Sequence, residues 1–110
     1  MKIGGRCFCK VLIKIDFLDL AEAELDDAFE YYEDIQKGLG SRFIAEIKST
    51  LSRIQHNPEA WQKFGQRMHR CLLNRFPYSV IYQIRVDLIL VIAIACNHQE
   101  PNYWINRAKN

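Results

Sequence analysis

The sequence predicts an α+β domain in the order β-α-α-β-β-β, with a helical hairpin packed on one face of a small, mainly antiparallel sheet. Three observations predict it. Residues 11–17 alternate, with Val11, Ile13, Ile15 and Phe17 on one side and Lys14 and Asp16 on the other, as a half-solvated strand does. Two stretches with apolar residues at helical spacing follow, joined by only a few residues. Tyr78–Arg85 and Leu88–Cys96 then read as strands separated by a turn at Val86-Asp87.

The first helix is expected to start at Asp19, where Glu22 three residues on completes a capping-box-like pattern and places acids in the first turn. Its stripe is Ala21, Leu25, Ala28, Phe29 and Tyr32, and it should stop near Gly38, where glycine accepts a left-handed backbone. The second helix begins by Ser41, carries Phe43, Ile44, Ile47, Leu51 and Ile54, and ends at Asn57-Pro58. The short Lys37–Gly40 link makes the pair antiparallel. Residues 57–66 read as a loop with Trp61 and Phe64 tucked down. Arg67–Arg75 reads as a short strand, and Tyr78, Val80, Tyr82 and Ile84 face one way on the next. Leu88–Cys96 is apolar without a break, which fits a strand covered on both faces. Pro101 forbids further pairing, and residues 103–109 form a terminal turn or short helix.

A chain of 110 residues, 49% apolar and 25% charged, is one ordinary globular domain, 1–110, with residues 1–9 as a Gly-Gly-containing lead-in. The longest apolar run has nine residues, far short of a membrane span, and Lys14 and Asp16 interrupt the early one, so no secretory signal or membrane association is expected. Cys7, Cys9, Cys71 and Cys96 do not match a zinc-binding spacing and read as reduced thiols of a cytoplasmic protein. No metal or cofactor is expected. Gly38-Leu39-Gly40 joins two helices and is no phosphate cradle.

Net charge is only +2, but its distribution is polar. Residues 18–36 hold eight acids and no base, whereas residues 37–75 hold eight bases against Glu46 and Glu59, a net +6. Either an acidic helix packs beside a basic one, or the basic stretch forms a surface for an acidic partner.

Titratable groups, bases and aromatics mix in one zone: Arg67, His69, Arg70 and Arg75, then Tyr78 and Tyr82, then His98, Glu100 and Tyr103. Antiparallel neighbours bring such residues to one end of a sheet. Cutting RNA without metal needs a base, an acid and cations around the phosphate. His98, Glu100 or Tyr82 supply the first two in type, and Arg67, Arg70 or Arg75 the third, with Tyr103 nearby. Taken singly, each also reads as strand packing, a surface histidine or a partner for the acidic helix.

The segments "AEAELDDAFEYYEDIQKGLGSRFIAEI", "NPEAW", "RFPYSVIYQI" and "PNYW" before Arg107 together resemble the ParE/RelE toxin superfamily of type II toxin–antitoxin pairs, often called plasmid stabilization proteins. The resemblance runs from Val11 to Arg107. It implies a bacterial toxin neutralised by a cognate antitoxin in a hetero-oligomer, the antitoxin folding its disordered tail around the toxin. Two targets occur in the superfamily: ParE-like members bind and poison DNA gyrase, and RelE-like members cut mRNA on the ribosome. The Tyr31-Tyr32-Glu33 and Phe76-Pro77-Tyr78 elements resemble the ParE-like branch. Cys96 stands where many relatives have histidine and Gln99 where many have a base, which counts against ribonuclease action. The reading is therefore a gyrase-binding toxin rather than an enzyme; a ribosome-dependent endoribonuclease and an inactive antitoxin-binding relative are the alternatives.

Overall fold

The computed structural model describes residues 13–64, 68–97 and 107. The elements are β1 (Lys14–Phe17), α1 (Asp19–Ile35), α2 (Leu39–His56), β2 (Gln62–Phe64), β3 (Met68–Leu72), β4 (Tyr78–Ile84) and β5 (Leu88–Cys96). They build a mixed five-stranded sheet ordered β1-β5-β4-β3-β2. Only the β1–β5 pair is parallel among these, with Lys14 opposite Leu88 and Phe17 opposite Val91; the others are antiparallel.

The expected fold class stands, with two corrections in detail. Residues 57–66 are not all loop, because Gln62–Phe64 pairs with β3 as a short edge strand. Asp19 is not the N-cap. Leu18 holds that position in an extended conformation, without a side-chain cap, because its N–H is still engaged by the Val91 carbonyl at 3.0 Å. The second helix starts at Leu39, in keeping with a start by Ser41. The expected lead-in at 1–9, Val11 and the C-terminal turn, apart from Arg107, lie outside the described residues.

The helical hairpin is fastened at its bend by residues that sequence periodicity does not explain. Gly38 sits at φ 90°, a left-handed conformation that glycine adopts without steric cost. The Glu33 carboxylate, on the last turns of α1, accepts the N–H groups of Gly38 and Gly40, each at 3.0 Å. These are donors at the start of α2 that no helical carbonyl can satisfy, so one helix caps the other. Gly40 lets the helices approach: a Cβ there would lie 2.7 Å from the Phe29 carbonyl oxygen.

The core lies between the hairpin and the sheet. Ala21, Ala28 and Tyr32 of α1 and Phe43, Ile47 and Ile54 of α2 meet Cys71, Val80, Tyr82, Ile89, Val91 and Ile94. Tyr32, Phe43, Phe76 and Tyr78 form an aromatic cluster with ring centroids 4.9–6.0 Å apart. Most of these rings meet edge to face, the arrangement favoured by their quadrupoles. The Tyr31-Tyr32-Glu33 and Phe76-Pro77-Tyr78 motifs therefore belong to the hairpin and its junction with the sheet. A bulge interrupts the β4–β5 register: Ile81 faces Ala93 but Tyr82 faces Val91, leaving Ile92 as the extra residue. Ile92 and Ala93 join Met68, Ile81 and Ala95 in a second apolar cluster, so β5 is buried on both sides as its unbroken apolar run predicts.

Candidate functional site

Antiparallel pairing brings Arg70 of β3 next to the end of β5. Its Nε donates to Ser79 Oγ at 3.1 Å and its Nη2 donates to Asn97 Oδ1 at 3.2 Å. Ser79 Oγ in turn donates to Asn97 Oδ1 at 2.6 Å, and the Asn97 N–H donates to the Pro77 carbonyl at 2.8 Å. This network holds one guanidinium flat at the point where the chain leaves the sheet. Ser79 is fully buried, and burial of its hydroxyl is matched by both partners. Sequence reading missed Ser79 and Asn97. The one signal for Ser79 is a polar residue inside an otherwise apolar strand.

The other candidates among the described residues do not gather around Arg70. Arg75 lies in the β3–β4 turn and lines a trough with Arg42 and Glu46 of α2. Neither Arg70 nor Arg75 forms an ion pair with the acidic helix among the described residues. Tyr82, a candidate acid or base by residue type, is a core residue. It has no exposed area, and its hydroxyl donates to the Pro58 carbonyl. Burial, reinforced by nearby Cys71 and Glu59, pushes that hydroxyl well above the ordinary tyrosine range, so it holds its proton. His69, 4% exposed, stacks on the Tyr82 ring at 5.3 Å. Arg67, His98, Glu100 and Tyr103, together with Gln99, lie outside the described residues.

Tyr78 belongs with Tyr82 in its electrostatics. Burial first, then the nearby Cys96 thiol, pushes its hydroxyl from 10 to about 12. A group whose pKa is raised by folding contributes stability below the unfolded value and loses it as pH rises through the folded value. Stability is therefore expected to hold up to pH 10 and to fall progressively from there through pH 12. Denaturant midpoints across that range check it, with phenolate absorbance reporting the titration. A flat profile through pH 12 would contradict the burial of these rings.

A second polar construction closes the outer edge of β5 beyond the reach of β1. The Ile94 N–H donates to Glu24 Oε1 at 3.1 Å. Arg107 binds the same carboxylate through both terminal nitrogens, at 3.0 and 3.2 Å, and donates to the Ile92 carbonyl at 3.3 Å. Such two-pronged pairing fixes geometry as well as charge. Beside it, Asp27, Ala28, Tyr31, Tyr78 and Cys96 line an open groove of about 340 Å³ between α1 and the strand edge. Tyr31 and Ile35 are more than half exposed on α1, a larger apolar display than packing requires.

The sequence and the fold are matched by comparison with known proteins. Residues 15–101 match the family model described as the ParE toxin of type II toxin-antitoxin system, parDE. Among solved structures, the chromosomal ParDE TA system from P. aeruginosa contains a chain similar to this one, with a TM-score of 0.67 at 18% identity. The similarity covers 77% of this chain and 96% of that one, a likeness in fold. No curated protein matches the chain in sequence. With the family model spanning β1 to β5 and the fold in agreement, the chain belongs to the ParE toxin family of type II toxin–antitoxin systems.

Proposed function

We propose that this chain is the growth-inhibiting toxin of its pair, that it acts in the cytoplasm by binding DNA gyrase, and that a cognate antitoxin neutralises it in a hetero-oligomer. One observation carries the choice of a binding protein over a nuclease. Among the described candidates for RNA cleavage, Arg70 is engaged by Ser79 and Asn97, Arg75 lines the trough beside α2, and Tyr82 is enclosed, which supports the binding reading. Phosphoryl-transfer chemistry needs its acid, base and cations around one point. Membership of the ParE family supports the same choice.

Induced expression in a bacterial host tests the reading. Growth arrest with accumulating double-strand breaks and an SOS response, while mRNA stays intact, is the expected result. Rapid codon-positioned mRNA cleavage, abolished by Arg70→Ala or His98→Ala, would replace it with the ribonuclease reading. Unimpaired growth would leave a relative that only binds antitoxin.

A further inference from the structure

We propose that a cavity on the hairpin side of the sheet, beside the loop that follows α2, binds a small organic anion: a phosphate or carboxylate on an apolar body. This goes beyond the toxin reading and does not depend on it. The cavity measures about 290 Å³, at the lower end of ligand-sized pockets, and is lined by Glu59, Lys63, His69, Ile84, Arg85 and Val86. Strand register assembles it. Lys63 of β2 is opposite His69 of β3, and His69 is opposite Tyr82 of β4, so the three share one side of the sheet, with Ile84 two residues on. Arg70 follows His69 in the strand and therefore points to the other side, away from this cavity.

A buried nitrogen without a partner marks the inner wall. His69 is 4% exposed, and its Nδ1 is buried with no hydrogen-bond partner among the described residues. Folded proteins leave few such groups, because each forfeits its bonds to water. The ring is stacked on Tyr82 at 5.3 Å, and the Tyr82 hydroxyl is tied to the Pro58 carbonyl, so the wall is fixed before anything binds. In neutral imidazole one nitrogen carries hydrogen and the other a lone pair. An orphaned lone pair is the less costly of the two, which puts the hydrogen on Nε2. The inner wall thus holds one positioned donor.

The rim selects the occupant's charge. Lys63 and Arg85 stand against Glu59, two cations to one carboxylate. The Arg85 Nε donates to Gln83 Oε1 at 2.8 Å, which orients the guanidinium in advance. A guanidinium fork and an ammonium together suit a phosphate or a carboxylate. Ile84 is half-buried and Val86 is fully exposed in the β4–β5 turn, so a bare inorganic ion would leave their apolar surface to water. An apolar body on the ligand covers that surface and adds the hydrophobic part of the affinity.

Amide NMR shifts of the full chain during ligand titration test this. The probes are phenyl phosphate, benzoate, benzyl alcohol, benzylammonium and inorganic phosphate. Phenyl phosphate or benzoate is expected to bind with a Kd on the order of 1 mM, with shifts centred on His69, Ile84 and Val86. Either supports the proposal, and the tighter of the two identifies the head group. The alcohol, the ammonium and the inorganic ion are each expected to bind at least about fivefold more weakly. His69→Phe keeps a ring to stack on Tyr82 but removes both nitrogens, and it is expected to weaken binding by about fivefold. Lys63→Glu is expected to do the same, whereas Lys48→Glu, an equal charge change on the exposed face of α2, should weaken it by less than about twofold. Circular dichroism checks that the variants fold, and the exposed Lys63 keeps the test decisive if the buried substitution does not. No saturable shift with either anion, equal binding of benzyl alcohol or benzylammonium, full binding by folded His69→Phe, or equal loss in Lys63→Glu and Lys48→Glu would each overturn the proposal. Growth arrest plays no part in the readout, so the toxin reading and this one fail separately.

Discussion

Phe43→Ala is expected to destabilise the domain by about 3–5 kcal/mol, the range for deleting a buried aromatic ring. Phe43 has no exposed area and touches Tyr32, Phe76 and Tyr78 with centroids 5.2–5.3 Å away. It is the point where α2, α1 and the β3–β4 turn share one contact, so its loss leaves a cavity bounded by three rigid elements that cannot easily collapse. For a domain near this size each kcal/mol shifts Tm by roughly 4–8 °C, so the fall should be on the order of 15–30 °C. Such a loss approaches the whole stability of many small domains. Urea titration followed by tryptophan fluorescence measures it, and Phe43→Leu should recover more than half. A loss for Phe43→Ala below about 1 kcal/mol would show that the aromatic cluster does not pack as described.

Gly40→Ala is expected to have the next largest effect, about 3 kcal/mol, at the upper end for overpacking. The new methyl would lie 2.7 Å from the Phe29 carbonyl oxygen, 2.8 Å from Glu33 Oε1 and 2.9 Å from Phe29 Cδ1. Two of the three are held in place: one is helix backbone, and the other is the carboxylate that caps α2. Relief requires the helices to part, which also lengthens the Glu33 bonds. Gly38→Ala is the informative comparison. Its Cβ would meet nothing within 4 Å, so its cost, about 1 kcal/mol, comes from the left-handed backbone alone. Chemical denaturation of the two variants side by side separates crowding from conformational strain. If Gly38→Ala proved the costlier, the close approach of the helices would be refuted.

These residues also mark what the sequence made legible and what it hid. The nine apolar residues of β5 and the stripes of α1 and α2 were readable because burial imposes a period on the chain. β2 was not, since three residues, Gln62, Lys63 and Phe64, are too few to show alternation; they form a strand because β3 offers an edge. The start of α1 misled for a similar reason. Leu18 has no capping side chain, but its backbone is pinned to Val91, a residue remote in sequence. Glu33 could be read as a motif letter, yet its work depends on a bend that returns Gly38 and Gly40 to it. The candidate site was harder still. Residue types suggested a cluster, but position depends on strand register and turn geometry. Register gave Arg70 partners 9 and 27 residues away and gave the Tyr82 hydroxyl a carbonyl 24 residues away, while the turn carried Arg75 to the α2 side.

The parallel pairing of β1 with β5 has a consequence for how the chain is born. Lys14 meets Leu88, so the first described strand waits through synthesis of both helices and three further strands before its partner exists. A nascent chain can make the hairpin early, because those contacts are local, but it cannot close its sheet until the last strand leaves the ribosome. The sheet is thus completed only once β5 has been made, and a partner already present would meet the protein at the moment of its closure.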